Sequence, residues 1–125
     1  MRNNLNSAEF KYIRLDYLDE LTGGDEEIME EMLKLFLENT PVSLKNLGEL
    51  CTQKNYEELK KAAHKFKPTL SYVGILELEG VVPEIEKLAG EADPEGKIPE
   101  LLKELAFYCE KGVQEISSYF NKKQE

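Results

Sequence analysis

From Ile28 to Cys51 the apolar residues fall mostly three and four apart: Ile28, Met29, Met32, Leu33, Phe36, Leu37, then Leu44, Leu47 and Cys51. That spacing gives a helix one inward face and gives a strand none, so this part of the chain can pack only as helix. The stripe keeps its phase across Pro41, which predicts one kinked helix over about 25–53. The competing arrangement starts a new helix at Pro41 with Thr40 as its cap. Asp25 is a suitable N-cap, and Glu26 and Glu27 in the first turn complement the helix dipole.

The same period runs through the rest of the chain. Asp16–Leu21 reads as a short helix with Tyr17, Leu18 and Leu21 inward, ended by Thr22-Gly23-Gly24. Gln53-Lys54-Asn55 is a short connection to a helix over about Tyr56–Val73, with Pro68 inside it and a bend expected there. Gly74 marks a corner. Ile75, Leu78, Val81, Val82, Ile85, Leu88 and Ala89 trace a further helix, bent or broken near Pro83. Gly90 to Lys97 reads as a loop. A last helix runs from Ile98 or Pro99 to Phe120, with Leu105, Cys109, Gly112 and Ile116 inward. Residues 1 to about 11 and 121–125 are expected to be loosely ordered. Phe10, Tyr12, Ile13 and Leu15 bring the chain onto the bundle. Four substantial amphipathic helices and short loops predict an all-α, antiparallel four-helix bundle with a short extra N-terminal helix, in one domain.

Net charge and cysteine usage exclude several function classes. The 125 residues carry a formal charge of -9, which is the wrong sign for nucleic acid or an anionic membrane surface. No apolar run approaches a membrane span, and the N-terminus lacks a signal-peptide core. A cytoplasmic location and a monomer are therefore expected. The initiating Met favours a free-standing module over the end of a larger hybrid kinase. Cys51 and Cys109 are too few for a disulfide scaffold and have no zinc spacing.

Against this acidic background, Lys60-Lys61-Ala62-Ala63-His64-Lys65-Phe66-Lys67 is a local basic patch holding the single histidine of the chain. At about 100° per residue, Leu59, Ala62, Ala63, Phe66, Leu70 and Val73 form the buried stripe of this helix. His64 points nearly opposite, with Glu57, Lys60, Lys61, Lys67, Pro68 and Ser71 within about 60° of it. The imidazole should stand in water on a helix that packs by its other face. Taken alone, such a histidine is ordinary surface.

The spacing of His64, Lys67, Ser71 and Gly74 changes that. It resembles the signature of histidine-containing phosphotransfer (HPt) domains, His-x-x-Lys-Gly, then small polar residues, then Gly ten after the His. Pro68 stands where Gly is commonest, and Thr69-Leu70 replace two small residues. The bundle architecture matches the same family. The resemblance implies that His64 is a phosphorylated nucleophile, exchanging a phosphoryl group with aspartates on receiver domains of response regulators or hybrid kinases. It implies that Lys67, and with it Ser71, stabilises the phosphoryl group. Lys60, Lys61, Pro68 and Gly74 would serve partner docking. The magnesium and the catalytic aspartates would belong to the receiver, so no cofactor or metal is expected on this chain.

Exposed neutral imidazole is a competent nucleophile near pH 7, and a rigid helix aims it. No Gly-rich loop or Walker-type lysine is present, so the chain should carry phosphate without drawing it from ATP. Two other classes compete. A helical adaptor would use the same face without phosphorylation, a use for which an intact His64 is not required. A di-iron enzyme would need Glu-x-x-His pairs on inner faces, and none is present.

Overall fold

The computed structural model describes Leu5 and residues 9–124. Residues 1–4, 6–8 and 125 lie outside the described residues, and parts of both stretches expected to be loose fall there. Five α-helices follow in order: α1 (Asp16–Thr22), α2 (Glu26–Thr52), α3 (Tyr56–Val73), α4 (Val81–Gly90) and α5 (Ile98–Gln124). A single 3-10 turn, Leu76–Leu78, joins α3 to α4. Helix α3 packs between α2 and α4, α5 closes the bundle against α2 and α4, and α1 lies across α2 and α3.

Helix α2 runs unbroken through Pro41. Thr40 is buried inside it and starts no new helix. The Asp25 carboxylate accepts the Ile28 amide at 3.2 Å, as an N-cap should. Gly23 ends α1 in the left-handed conformation, φ 66°. Helix α3 has the expected bounds. Asn55 caps it by accepting the Glu58 amide, Gly74 ends it at φ 63°, and the helix continues past Pro68. Leu59, Ala63, Phe66, Leu70 and Val73 are buried, and Ala62 is half-buried at the margin.

Expectations in α1, in α2 and before α4 are corrected. In α1 only Leu18 is buried, while Tyr17 and Leu21 are about half exposed. Leu15 and Thr22 lie to one side of Leu18 and are half-buried, so the inward face turns toward them and leaves Tyr17 and Leu21 on the outer flank of a helix too short for a wide stripe. Tyr17 stacks instead on Tyr72 of α3, centroids 6.5 Å apart and planes within 9°. Ile28 is likewise exposed, because Met29 takes the inward position at the start of α2. The break before α4 falls at Glu79-Gly80 and not at Pro83. Pro83 is the third residue of α4, where no intrahelical N–H is required.

The last helix extends through Gln124, beyond the expected fraying point. A cluster on α2 holds it: Lys123 Nζ lies 2.6 Å from Glu30 Oε1, and the Tyr119 hydroxyl donates to Glu30 and Glu26. At the other end of α5 the buried Asp93 carboxylate accepts the amides of Lys97 (2.9 Å) and Ile98 (3.1 Å). The N-terminal segment is tied to the same helix, because Glu115 accepts the amides of Lys11, Tyr12 and Ile13.

Two measurements check this packing. Phe66→Ala should lower unfolding free energy in urea by about 3–5 kcal/mol, the usual cost of emptying a buried aromatic site. A loss near zero would contradict the helical phase of α3. The Glu30 carboxyl is raised by burial, but hydrogen bonds from Lys123 and Tyr119 and the charges of Lys123 and Lys34 outweigh this and hold it below its ordinary value of 4.5. A depressed folded value stabilises the protein above the unfolded value and loses that contribution as pH falls through the folded one. Stability should therefore drop below pH 4.5, and Glu30→Gln should flatten that drop in an acid titration of the unfolding free energy.

Candidate functional site

The side chains around His64 are presented by α3 and α4, whose stripes bury against each other and leave a polar seam outside. The buried residues Val81, Val82, Ile85, Leu88 and Ala89 fix the rotation of α4. In that rotation Glu86 comes up beside α3. His64 is 73% exposed on its side chain, while Glu86 is only 18% exposed. The His64 Nδ1 lies 3.1 Å from Glu86 Oε2. Among the described residues the other carboxylate oxygen of Glu86 is buried without a hydrogen-bond partner, and the imidazole is the group that meets this carboxylate.

This contact has a chemical consequence. A carboxylate accepts and cannot donate, so pairing with Glu86 places the ring proton on Nδ1 in the neutral imidazole. The lone pair then belongs to Nε2, the nitrogen that Glu86 does not hold. An orienting carboxylate behind one ring nitrogen and a free nucleophilic nitrogen in front is the arrangement that activates imidazole for attack.

The residues singled out in the sequence divide by position. Lys61 is engaged on its own helix, 3.5 Å from Glu58 and 3.8 Å from Glu57. Lys60 and Lys67 are exposed, and among the described residues neither carries an ion pair. Lys60 reaches across to α4, where its Nζ lies 3.5 Å from the point a Cβ on Gly90 would occupy. The Ser71 hydroxyl donates back to the Lys67 carbonyl at 3.4 Å rather than to the ring. Pro68 is exposed one turn beyond His64 and leaves the His64 carbonyl without its helical N–H.

Gly74 is set apart at the corner of the hairpin. A Cβ there would collide with the Arg14 carbonyl, and the Arg14 amide donates to Val73 at 2.9 Å. Its positive φ and this close approach both call for glycine.

The sequence reading did not single out Glu86. The signal that finds it is register: His64–Glu86 and Lys60–Gly90 are each symmetric about residue 75, the corner of the α3–α4 hairpin. Of the other nucleophiles, the Cys109 thiol is pushed up to about 12 by burial, with Glu110 adding to it, and burial and Asp93 raise Cys51. Neither offers a thiolate near neutral pH. Among the described residues no group of His, Cys, Asp or Glu is placed to hold a metal ion. No helix of the described residues is long and apolar enough to cross a membrane.

The family model of the Hpt domain matches residues 31–117, which include α3, α4 and every residue of the His64 cluster. No curated protein and no solved structure matches the chain.

The role of Glu86 is open to direct measurement. Imidazole ¹⁵N shifts of His64 should report the Nδ1–H tautomer in the wild type and a loss of that preference in Glu86→Ala. An unchanged tautomer population would separate Glu86 from the ring.

Proposed function

The chain belongs to the Hpt domain family of phosphorelay histidine phosphotransfer proteins, and on that premise we propose that it accepts and returns a phosphoryl group on Nε2 of His64. The observation that carries the reading is the exposed imidazole with Nδ1 held by Glu86. The donor would be an aspartyl phosphate of a receiver domain. The Nε2 lone pair forms the N–P bond while the O–P bond to the aspartate breaks, and its electron pair leaves on the aspartate carboxylate. No proton has to move. The Nδ1 proton stays between the ring and Glu86, and the ring takes on a positive charge that the carboxylate faces. Return of the group to a second aspartate is the same step reversed.

Charge spreads over the phosphoryl oxygens in the transition state, so positioned cations lower the barrier. Lys67, one turn along α3 and without an ion pair among the described residues, fits that role. Its side chain leans back toward His64, because helical side chains tilt toward the N-terminus. The receiver would dock over the His64 face and the groove between α2 and α3. That groove, of about 650 Å³, has Val42 on one wall and Lys65 and Thr69 on the other. Val42 is 70% exposed on that wall.

The test is transfer of label from a radiolabelled, phosphorylated receiver domain. Wild type should take an acid-labile, alkali-stable label, and His64→Gln should take none while melting like wild type. Equal labelling of His64→Gln would remove the assignment. A stable receiver complex with no label on wild type would favour the adaptor. Lys67→Ala should slow transfer or shorten the life of the phosphoryl form, and unaltered kinetics would return Lys67 to ordinary surface.

A further inference from the structure

The four lysines around His64 are not equivalent, and their difference sets a second cation apart. At about 100° per residue, Lys60 and Lys67 lie about 40–60° to one side of His64, and Lys61 about 60° to the other. The ammonium of Lys60 lies against Gly90 of α4, so the Lys60–Lys67 flank is the one that Glu86 also approaches. Lys61 is occupied by Glu57 and Glu58. Lys60 has no such partner among the described residues.

Direction along the helix adds to this. Side chains on a helix lie over the turn before their own Cα, so the His64 ring lies over the turn that carries Lys60. Gly90 follows Glu86 by one turn of α4, about 5.4 Å along its axis. The Lys60 ammonium therefore lies against the residue one turn of α4 beyond the one that anchors the ring. The absence of a side chain at Gly90 makes this possible. Gly90 is a helical residue of α4 and is not among the glycines with positive φ, so its backbone does not call for glycine. A Cβ alone would make ordinary contact with Lys60, but a long side chain would fill the space where the ammonium rests.

We infer that Lys60 is a second phosphoryl-binding cation, held beside Nε2 of His64 by the open surface of Gly90. The inference rests on the phosphocarrier reading and reassigns Lys60 from partner docking to the phosphoryl group itself. Lys67 approaches from the C-terminal side of the ring and Lys60 from the N-terminal side, so a phosphoryl group on Nε2 sits between two ammonium groups. The residue positions the charged oxygens and takes no part in bond making.

A small donor separates this from docking, because phosphoramidate has no protein surface to recognise. The full chain, with Lys60→Gln, Lys60→Arg, Lys61→Gln and Gly90→Leu variants, would be labelled with phosphoramidate and with a phosphorylated receiver, and the decay of phosphohistidine followed. Lys60→Gln should shorten the phosphohistidine lifetime and slow phosphoramidate labelling about fivefold, the upper scale of one exposed charge pair. The effect should shrink at high salt. With phosphoramidate as donor, Lys61→Gln should match wild type, Lys60→Arg should recover most of the loss, and Gly90→Leu should reproduce the loss with Lys60 intact. Melting curves would confirm that each variant is folded. Unchanged phosphoramidate kinetics in Lys60→Gln would overturn the inference, even if transfer from the receiver slowed. Wild type that takes label from neither donor would remove the phosphocarrier reading itself.

Discussion

The wedging of α3 between α2 and α4 is the constraint on which the functional face depends. Leu59, Ala63, Phe66, Leu70 and Val73 are buried along one side of that helix. Their burial leaves no rotational freedom to the residues opposite. A helix free to turn by one residue would move His64 by about 100° and carry a charged seam into the core. The apolar stripe thus does two things at once: it drives the bundle together, and it aims the imidazole at solvent. Burial and aim cannot be changed separately.

The second half of the site depends on α4, and here one buried stripe positions two kinds of chemistry. Val82, Ile85 and Ala89 face inward, and the same rotation brings the Glu86 carboxylate to the imidazole and the bare Gly90 to Lys60. The carboxylate has one oxygen committed to His64 and the other buried without a donor among the described residues. A carboxylate so poorly solvated binds the available N–H more tightly than one in water would. The ring is thereby fixed on one side and free on the other.

Much of this was legible in the sequence where a local signal existed. Asn55 and Gly74 bracket α3, and the phase of Leu59 to Val73 placed His64 outward. Continuity of the stripe past Pro41 outweighed the proline as a stop signal, and α2 is a single helix. The reading of α4 went astray because a proline in the first turn looks the same in sequence as one that breaks a helix. Tyr17 and Leu21 were misplaced because two turns of helix define a face poorly, and the partner of Tyr17 is an aromatic ring on α3. Glu86 stayed hidden for a different reason. A carboxylate on a polar helical face carries no local mark of what stands across from it. That information belongs to the pairing of two helices, and it appears only when the chain is folded back on itself about residue 75.

The hairpin between α3 and α4 has a consequence for how such a protein can vary. The stretch from Gly74 to Gly80 sets which residue of α4 meets His64, so it works as a spacer of fixed length. Adding or removing one residue there would shift α4 along α3 and turn it by about 100°. Glu86 would leave the ring, and Val82, Ile85 and Ala89 would leave the core together with it. An error in the chemistry would therefore register first as an error in folding. Insertions that a surface turn would normally absorb are tolerable in the Glu91–Lys97 loop only to the extent that Asp93 keeps its hold on α5. In the Gly74–Gly80 corner, chain length is itself a functional quantity.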